Sequence, residues 1–153
     1  MAKPDYDSLF GLMASRRSTR KFRNNPLTKE QILKIIAAGI TAPSSLNKQP
    51  WNFIVVTDSQ KKKKLREIYT NSRKKQNFYE QDTVFVEYTT PIVLVCDNEG
   101  KDLLYSCAMA VQNMNLAAVA MGLASLQAVV ATTLEEDRKA IAELFRIPKE
   151  KFV

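Results

Sequence analysis

The stretch "ITAPSSLNKQPWNFIVVTD", residues 40–58, divides into two halves of opposite character. The first half is small and polar, with Pro43, Ser44, Ser45, Asn47, Gln49 and Pro50 in one short connection. The second half, "WNFIVV", is an apolar, β-branched run opened by the only Trp of the chain, and its composition predicts a buried strand. Ahead of it, Thr28 and Gln31 have capping-box spacing, and Ile32, Leu33, Ile35, Ile36 and Ile40 follow at helical intervals. That helix must stop before Pro43, because the residue ahead of a proline is pushed out of the helical region. A helix, a hydrogen-bonding connection and a buried strand therefore follow one another here.

On the N-terminal side, Leu9, Phe10, Leu12 and Met13 predict a short helix ending near "RRSTRKF", residues 16–22. On the C-terminal side, Ser59 is placed to cap a helix carrying "KKKKLREIY". Residues 70–90 are polar and aromatic and read as a mobile or partly helical excursion. Pro91 precedes "IVLVCD", a strand apolar on both faces and so expected to be central. Residues 101–121 form a long, nearly all-apolar helix expected to lie in the core. "LASLQAVVA", residues 123–131, reads as a third strand. Thr133 is then placed to cap a last helix with Leu134, Ile141, Leu144 and Phe145 on its apolar side. The order α-α-β-α-(α)-β-α-β-α predicts one α/β (α+β) domain over residues 1–153, its central mixed sheet covered by helices on both faces.

Composition narrows the function. A chain of 153 residues can bury a sizeable core without a staple. The formal charge of +7 favours anionic ligands without choosing among nucleotide, nucleic acid and membrane surface. There is no His, which removes His-based triads, and with only two Cys a zinc site is not expected. Cys96 and Cys107 sit in apolar surroundings and read as buried free thiols. The N-terminus lacks a signal-peptide core, and the most apolar region, residues 116–131, is shorter than a membrane span of about 20 residues. The expected location is cytoplasmic, with no membrane partner.

Two motifs carry chemistry. "RRSTR" sets Arg16, Arg17, Ser18 and Arg20 within five residues at a helix end. In an extended chain Arg16, Ser18 and Arg20 fall on one side, as a phosphate requires: planar guanidinium forks completed by a hydroxyl. The same residues would also serve as a solvated basic turn complementing the helix dipole. In the second motif, Ser44, Ser45, Asn47 and Gln49 can both donate and accept, which suits a heteroaromatic ring or a chain of hydroxyls. Pro43 and Pro50 would hold that loop in one shape, although Ser, Asn and Pro are also ordinary turn residues. Lys61, Lys62, Lys63 and Lys64 read as a solvated helix face, with no nucleic-acid motif beside them. The chain has four Gly and no glycine-rich phosphate loop, so a bound phosphate would be held by side chains.

Together, "RRSTRKF", "ILKIIAAGITAPSSLNKQPWNFIVV" and the helix "YSCAMAVQNMNLAAVAMGLAS" resemble the nitroreductase family of FMN-dependent oxidoreductases, over nearly the whole chain. The resemblance implies a nitroreductase-like fold and a flavin bound at a homodimer interface. Arg16, Arg17, Ser18 and Arg20 would hold the FMN phosphate and ribityl chain. Pro43, Ser44, Ser45, Asn47 and Gln49 would reach the flavin from the partner subunit, and Gln127 and Ala128 would lie near its reactive edge. The flavin would carry the chemistry, with NAD(P)H as electron donor, an electron-poor acceptor such as a nitroaromatic or quinone, and no catalytic protein nucleophile, metal or nucleic acid. Relatives of this pattern continue past "LFRIP" with another strand, a glycine-containing turn and a basic residue, so the sequence ending at Val153 reads as short there. Two other readings stay open at this point: a flavin binder without turnover, and a basic module for a polyanion.

Overall fold

The computed structural model of the chain describes residues 5–78, 80, 82–98 and 100–153; residues 1–4, 79 and 81 of the segments read above lie outside them. Asp5 caps α1 (Tyr6–Ser15), accepting from the backbone N–H groups of Asp7 and Ser8. The Thr28–Gln31 capping box opens α2 (Lys29–Gly39), both of its reciprocal hydrogen bonds being made. After a single 3-10 turn at Ser45–Asn47 comes β1 (Trp51–Val55). The third helix, α3 (Ser59–Lys75), is capped by Asp58 rather than by Ser59: the Asp58 carboxylate accepts from Lys61 N at 2.8 Å, and Ser59 is already the first helical residue. Part of the expected excursion is helical, since α3 runs past Thr70 and a short α4 (Phe85–Tyr88) follows. β2 (Ile92–Cys96) and α5 (Lys101–Ala120) come next.

The two strands pair antiparallel, with Trp51 opposite Cys96, Phe53 opposite Leu94 and Val55 opposite Ile92. Strand alternation sends the two faces of this ladder to different cores. Trp51, Leu94 and Cys96 pack with Leu103, Cys107 and Ala110 of α5, and Phe53 and Ile92 extend that contact toward Ile35 of α2. Val93 turns to the other side, where Val56, Leu65, Tyr69, Phe85 and Ile141 form the second core. Helices cover both faces, as the α+β reading expects. At Gly39 the helices α2 and α5 are so close that a Cβ would stand 2.9 Å from Met114 Cγ.

"LASLQAVVA" is not a third strand. Gly122, at φ +68°, reverses the chain after α5, and Ser125 makes one isolated parallel bridge to Ser18. Gln127 and Ala128 are exposed in the connection that follows, and the segment ends in α6 (Val130–Thr133). The sheet is therefore a two-stranded ladder with isolated bridges, smaller than expected. Nor does Thr133 cap the last helix, α7 (Glu135–Phe145). Its hydroxyl donates back to Val129 O at 3.2 Å, and Leu134 stands at the cap position. Glu135, Glu136 and Asp137 in the first turn complement the helix dipole instead.

Beyond α7, Phe152 docks on the outer side of β2, exchanging backbone hydrogen bonds with Cys96 at 2.6 and 2.8 Å. Lys151 Nζ meets Asp97 Oδ1 at 2.6 Å, and Asn52 Nδ2 donates to the same oxygen at 3.0 Å. Lys151 first, then Asn52, hold the Asp97 carboxyl below its ordinary value. A lowered folded pKa stabilises above the unfolded value and is lost as pH falls through the folded one. The wild type should therefore melt higher than Lys151→Met near neutrality, with the gap closing as acid protonates Asp97. The gap should be small, because the pair is largely exposed. Melting temperatures of both proteins across the acid range check this.

Candidate functional site

The arginine motif begins where α1 ends. Arg16 closes α1 in an extended conformation and is half-buried. Arg17 turns back: its Nη1 donates to Ala14 O and, at 3.0 Å, to Arg16 O, so it serves the unpaired carbonyls of the α1 terminus. Ser18 is extended and bridges Ser125, with Thr19 N donating to Ser125 O at 3.0 Å. Arg20 Nη1 makes only a 3.4 Å contact with Ser18 O. Among the described residues no carboxylate forms an ion pair with Arg16, Arg17 or Arg20. A phosphate would therefore meet guanidinium groups with no acidic competitor. Because Ser18 pairs with Ser125, this basic segment lies against the connection that follows α5 and leads to Gln127 and Ala128.

The polar loop is a different construction. Between buried Ala42 and fully buried Pro50, Leu46, Asn47 and Gln49 have φ of 52°, 55° and 50°. Three non-glycine residues in the left-handed region within four positions is costly, and such strain persists only when surrounding contacts fix it. Ser44 Oγ accepts from Gln49 N at 2.9 Å, and Asn47 Oδ1 accepts from Gln49 Nε2 at 3.3 Å. Pro43, Asn47 and Gln49 are exposed, while Ser44 and Ser45 are half-buried. The loop rests on the first turns of α5, where Ser45 N donates to Ser106 Oγ and Lys48 pairs with Asp102 at 3.5 Å.

The structure thus sets the arginine segment against Ser125, in the connection that leads on to Gln127 and Ala128, and seats the Ser44–Asn47 loop on the first turns of α5; among the described residues no hydrogen bond or ion pair links the arginine segment to that loop. The loop sits on the N-terminal turns of α5, whereas the arginine segment pairs with Ser125, in the connection after its C-terminal end. From Ser106 to Ala120 the helix alone rises about 21 Å. Two surface grooves, of about 500 and 410 Å³, flank α3 instead, and none of the predicted residues lines them. Lys61 and Lys64 line the larger one, whereas Lys62, read as solvated, turns inward and donates from Nζ to Thr89 O at 2.6 Å. Helical spacing explains this, since Lys62 shares a face with buried Leu65 and Tyr69. Both Cys are buried and free. The thiol of Cys107 is pushed well above its ordinary pKa, by burial first and then by Cys96 beside it.

Among the described residues, two paired strands lie between packed helices, an arginine segment stands without a carboxylate partner and a loop with left-handed turns carries hydroxyls and amides, which together define an α+β protein. Residues 13–153 match the nitroreductase family, and the chain belongs to that family. A relative from Archaeoglobus fulgidus, carrying the joint name NADH dehydrogenase/NAD(P)H nitroreductase, is 33% identical over 143 residues, covering 90% of this chain and 76% of its own. Among solved structures, an FMN-dependent nitroreductase of Clostridium difficile is similar at TM-score 0.76 and 28% identity, with 94% of this chain and 82% of that one covered. Iodotyrosine deiodinase bound to FMN and 3-iodo-L-tyrosine shares the fold at TM-score 0.79 and 22% identity, with 94% and 83% covered.

Proposed function

We propose that the chain is an FMN-dependent oxidoreductase of the cytoplasm, passing hydride from NAD(P)H to an electron-poor small molecule such as a nitroaromatic or a quinone. It works as a homodimer with each flavin between two copies. The observation that carries this reading is the division of the donor set between the two ends of α5. One chain cannot close both halves on one cofactor, but a second copy laid across the first would bring the loop of one to the arginine segment of the other.

The donor chemistry fits the group. Arg16, Arg20 and the Ser18 hydroxyl would hold the phosphate and the start of the ribityl chain, with Arg17 fixing the turn they stand on. Ser44, Ser45, Asn47 and Gln49 of the second copy would donate to and accept from the ring edges, held in place by Pro43 and Pro50. Gln127 and Ala128, which follow Ser125 in the connection that meets the arginine segment, would line the open side of the ring. When bound, FMN supplies the hydride-carrying chemistry, so no His, metal or protein nucleophile is required. The positive field of the chain would draw in anionic NAD(P)H.

The surface supports the second copy. α5 buries Leu103, Cys107, Ala110, Met114 and Ala118 but leaves Tyr105 68% exposed and Met109 open on its opposite face. Leu9, Phe10 and Met13 of α1, Leu33 of α2 and Ile40 at the end of α2, the helices packed on α5, are exposed as well. Apolar surface on this scale is the mark of an interface. By length and composition α5 could also cross a membrane, but its buried face is taken up by α2 and β2.

A visible spectrum of the purified protein with added FMN, followed by NADPH or NADH without oxygen, tests the proposal. Bound flavin whose bands bleach with a nicotinamide supports it and identifies the donor. Bound flavin that stays coloured replaces it with a non-catalytic flavin binder, and no binding at micromolar FMN overturns it.

A further inference from the structure

We infer that Ser106 of α5 is the positioning residue that sets the shape of the Ser44–Asn47 loop, and through it the affinity for the cofactor; this rests on the FMN reading above. Ser106 is 1% exposed and lies 61 positions from the residue it holds. Its hydroxyl has a single proton, which goes to Asp102 O at 2.8 Å, one helical turn back. That bond fixes the rotor, so a lone pair faces the loop and accepts from Ser45 N at 3.3 Å. Ser45 begins the 3-10 turn in which Leu46 and Asn47 are left-handed. Asp102 engages the loop a second time, its carboxylate pairing with Lys48. Pro50 anchors the far end, its carbonyl accepting from Asp97 N at 2.9 Å. Among the described residues, Ser106 and Asp102 are thus the side chains of α5 that hydrogen-bond or ion-pair with the middle of the loop. Without the Ser106 hydroxyl, the Ser45 N–H loses its acceptor and the left-handed turn loses a contact that over-determines it.

Amide exchange of the flavin-free protein and FMN titration are measured on the wild type, Ser106→Ala, Ser106→Thr, Asn47→Ala and the Ser106→Ala/Asn47→Ala pair. Ser106→Ala should expose the Ser45 amide to exchange about tenfold faster and weaken FMN about tenfold, with most of the affinity restored by the hydroxyl of Ser106→Thr. In the Asn47→Ala background the same change should weaken FMN by no more than about twofold, because both act through one loop. Unchanged exchange and affinity in Ser106→Ala would overturn the inference, as would an undiminished loss in the Asn47→Ala background. Should Ser106→Ala fail to fold, Lys48→Met, at an exposed position, replaces it with an expected loss of about threefold in affinity at unchanged melting temperature; no loss overturns the role given to this tie. A wild type that binds no FMN overturns the functional reading, whereas amide exchange judges the Ser106–Ser45 link independently of the cofactor.

Discussion

Replacing Arg16 and Arg20 together with Ala is expected to raise the FMN dissociation constant on the order of a thousandfold while leaving the melting temperature nearly unchanged. Each guanidinium–phosphate contact involves a charged pair and contributes about 1.5–3 kcal/mol, so losing two amounts to several powers of ten at most and about three in the middle of that range. Stability is spared because neither side chain pairs with a carboxylate among the described residues. Arg17→Ala makes the contrast. Its guanidinium serves the α1 carbonyls, so it should loosen the end of α1 and change FMN affinity by much less. Flavin fluorescence titration beside thermal melting separates the cases. An equal loss of affinity in Arg17→Ala would assign the phosphate to the wrong guanidinium groups.

The largest effect on stability is expected from Trp51→Ala, at about 3–5 kcal/mol. Trp51 begins β1 and is 9% exposed, packed among Ala42, Cys96, Leu103, Cys107 and Ala110. It is the side chain on which the loop, both strands and α5 converge. A domain of this size has total stability of about 5–15 kcal/mol, so the variant should be half-denatured at far lower urea than the wild type. Flavin affinity should fall with it, since Pro50 and the end of the loop lean on the same core. A loss below about 1 kcal/mol in urea denaturation would mean that this core does not position the loop.

The parts of the fold that were legible in the sequence are those where local chemistry and tertiary packing agree. Thr28 and Gln31 close their box because their three-residue spacing brings each side chain to the other's backbone N–H, and "WNFIVV" and "IVLVC" pair because their apolar residues alternate between two cores. "LASLQAVVA" is a run of small apolar residues without a clear period, which a strand and a helix share. The second core decides between them: Ala131 is drawn under Val56, Leu65 and Phe85, and a helical turn from Ala128 provides that geometry. Asp58 and Ser59 are both good caps, and only the bond to Lys61 N shows which one the chain uses. Both candidate motifs stand out in the sequence, because hydroxyl, amide and guanidinium groups declare their chemistry one by one. Their separation along α5 was not, since no local pattern reports where a helix end lies in space. Ser106 was hidden for the same reason, its partner being 61 positions away.

The most direct measurement co-expresses two crippled chains, Arg16→Ala/Arg20→Ala and Ser44→Ala/Asn47→Ala, each of which alone should retain little FMN. A heterodimer of the two carries one site with every donor intact and one that lacks Arg16, Arg20, Ser44 and Asn47 together. Since random pairing makes half of the dimers mixed, the co-expressed sample should recover about a quarter of the wild-type flavin content. Recovery at that level, with NAD(P)H bleaching the recovered flavin, is what a shared site predicts. Flavin no higher than in the separate variants would contradict it.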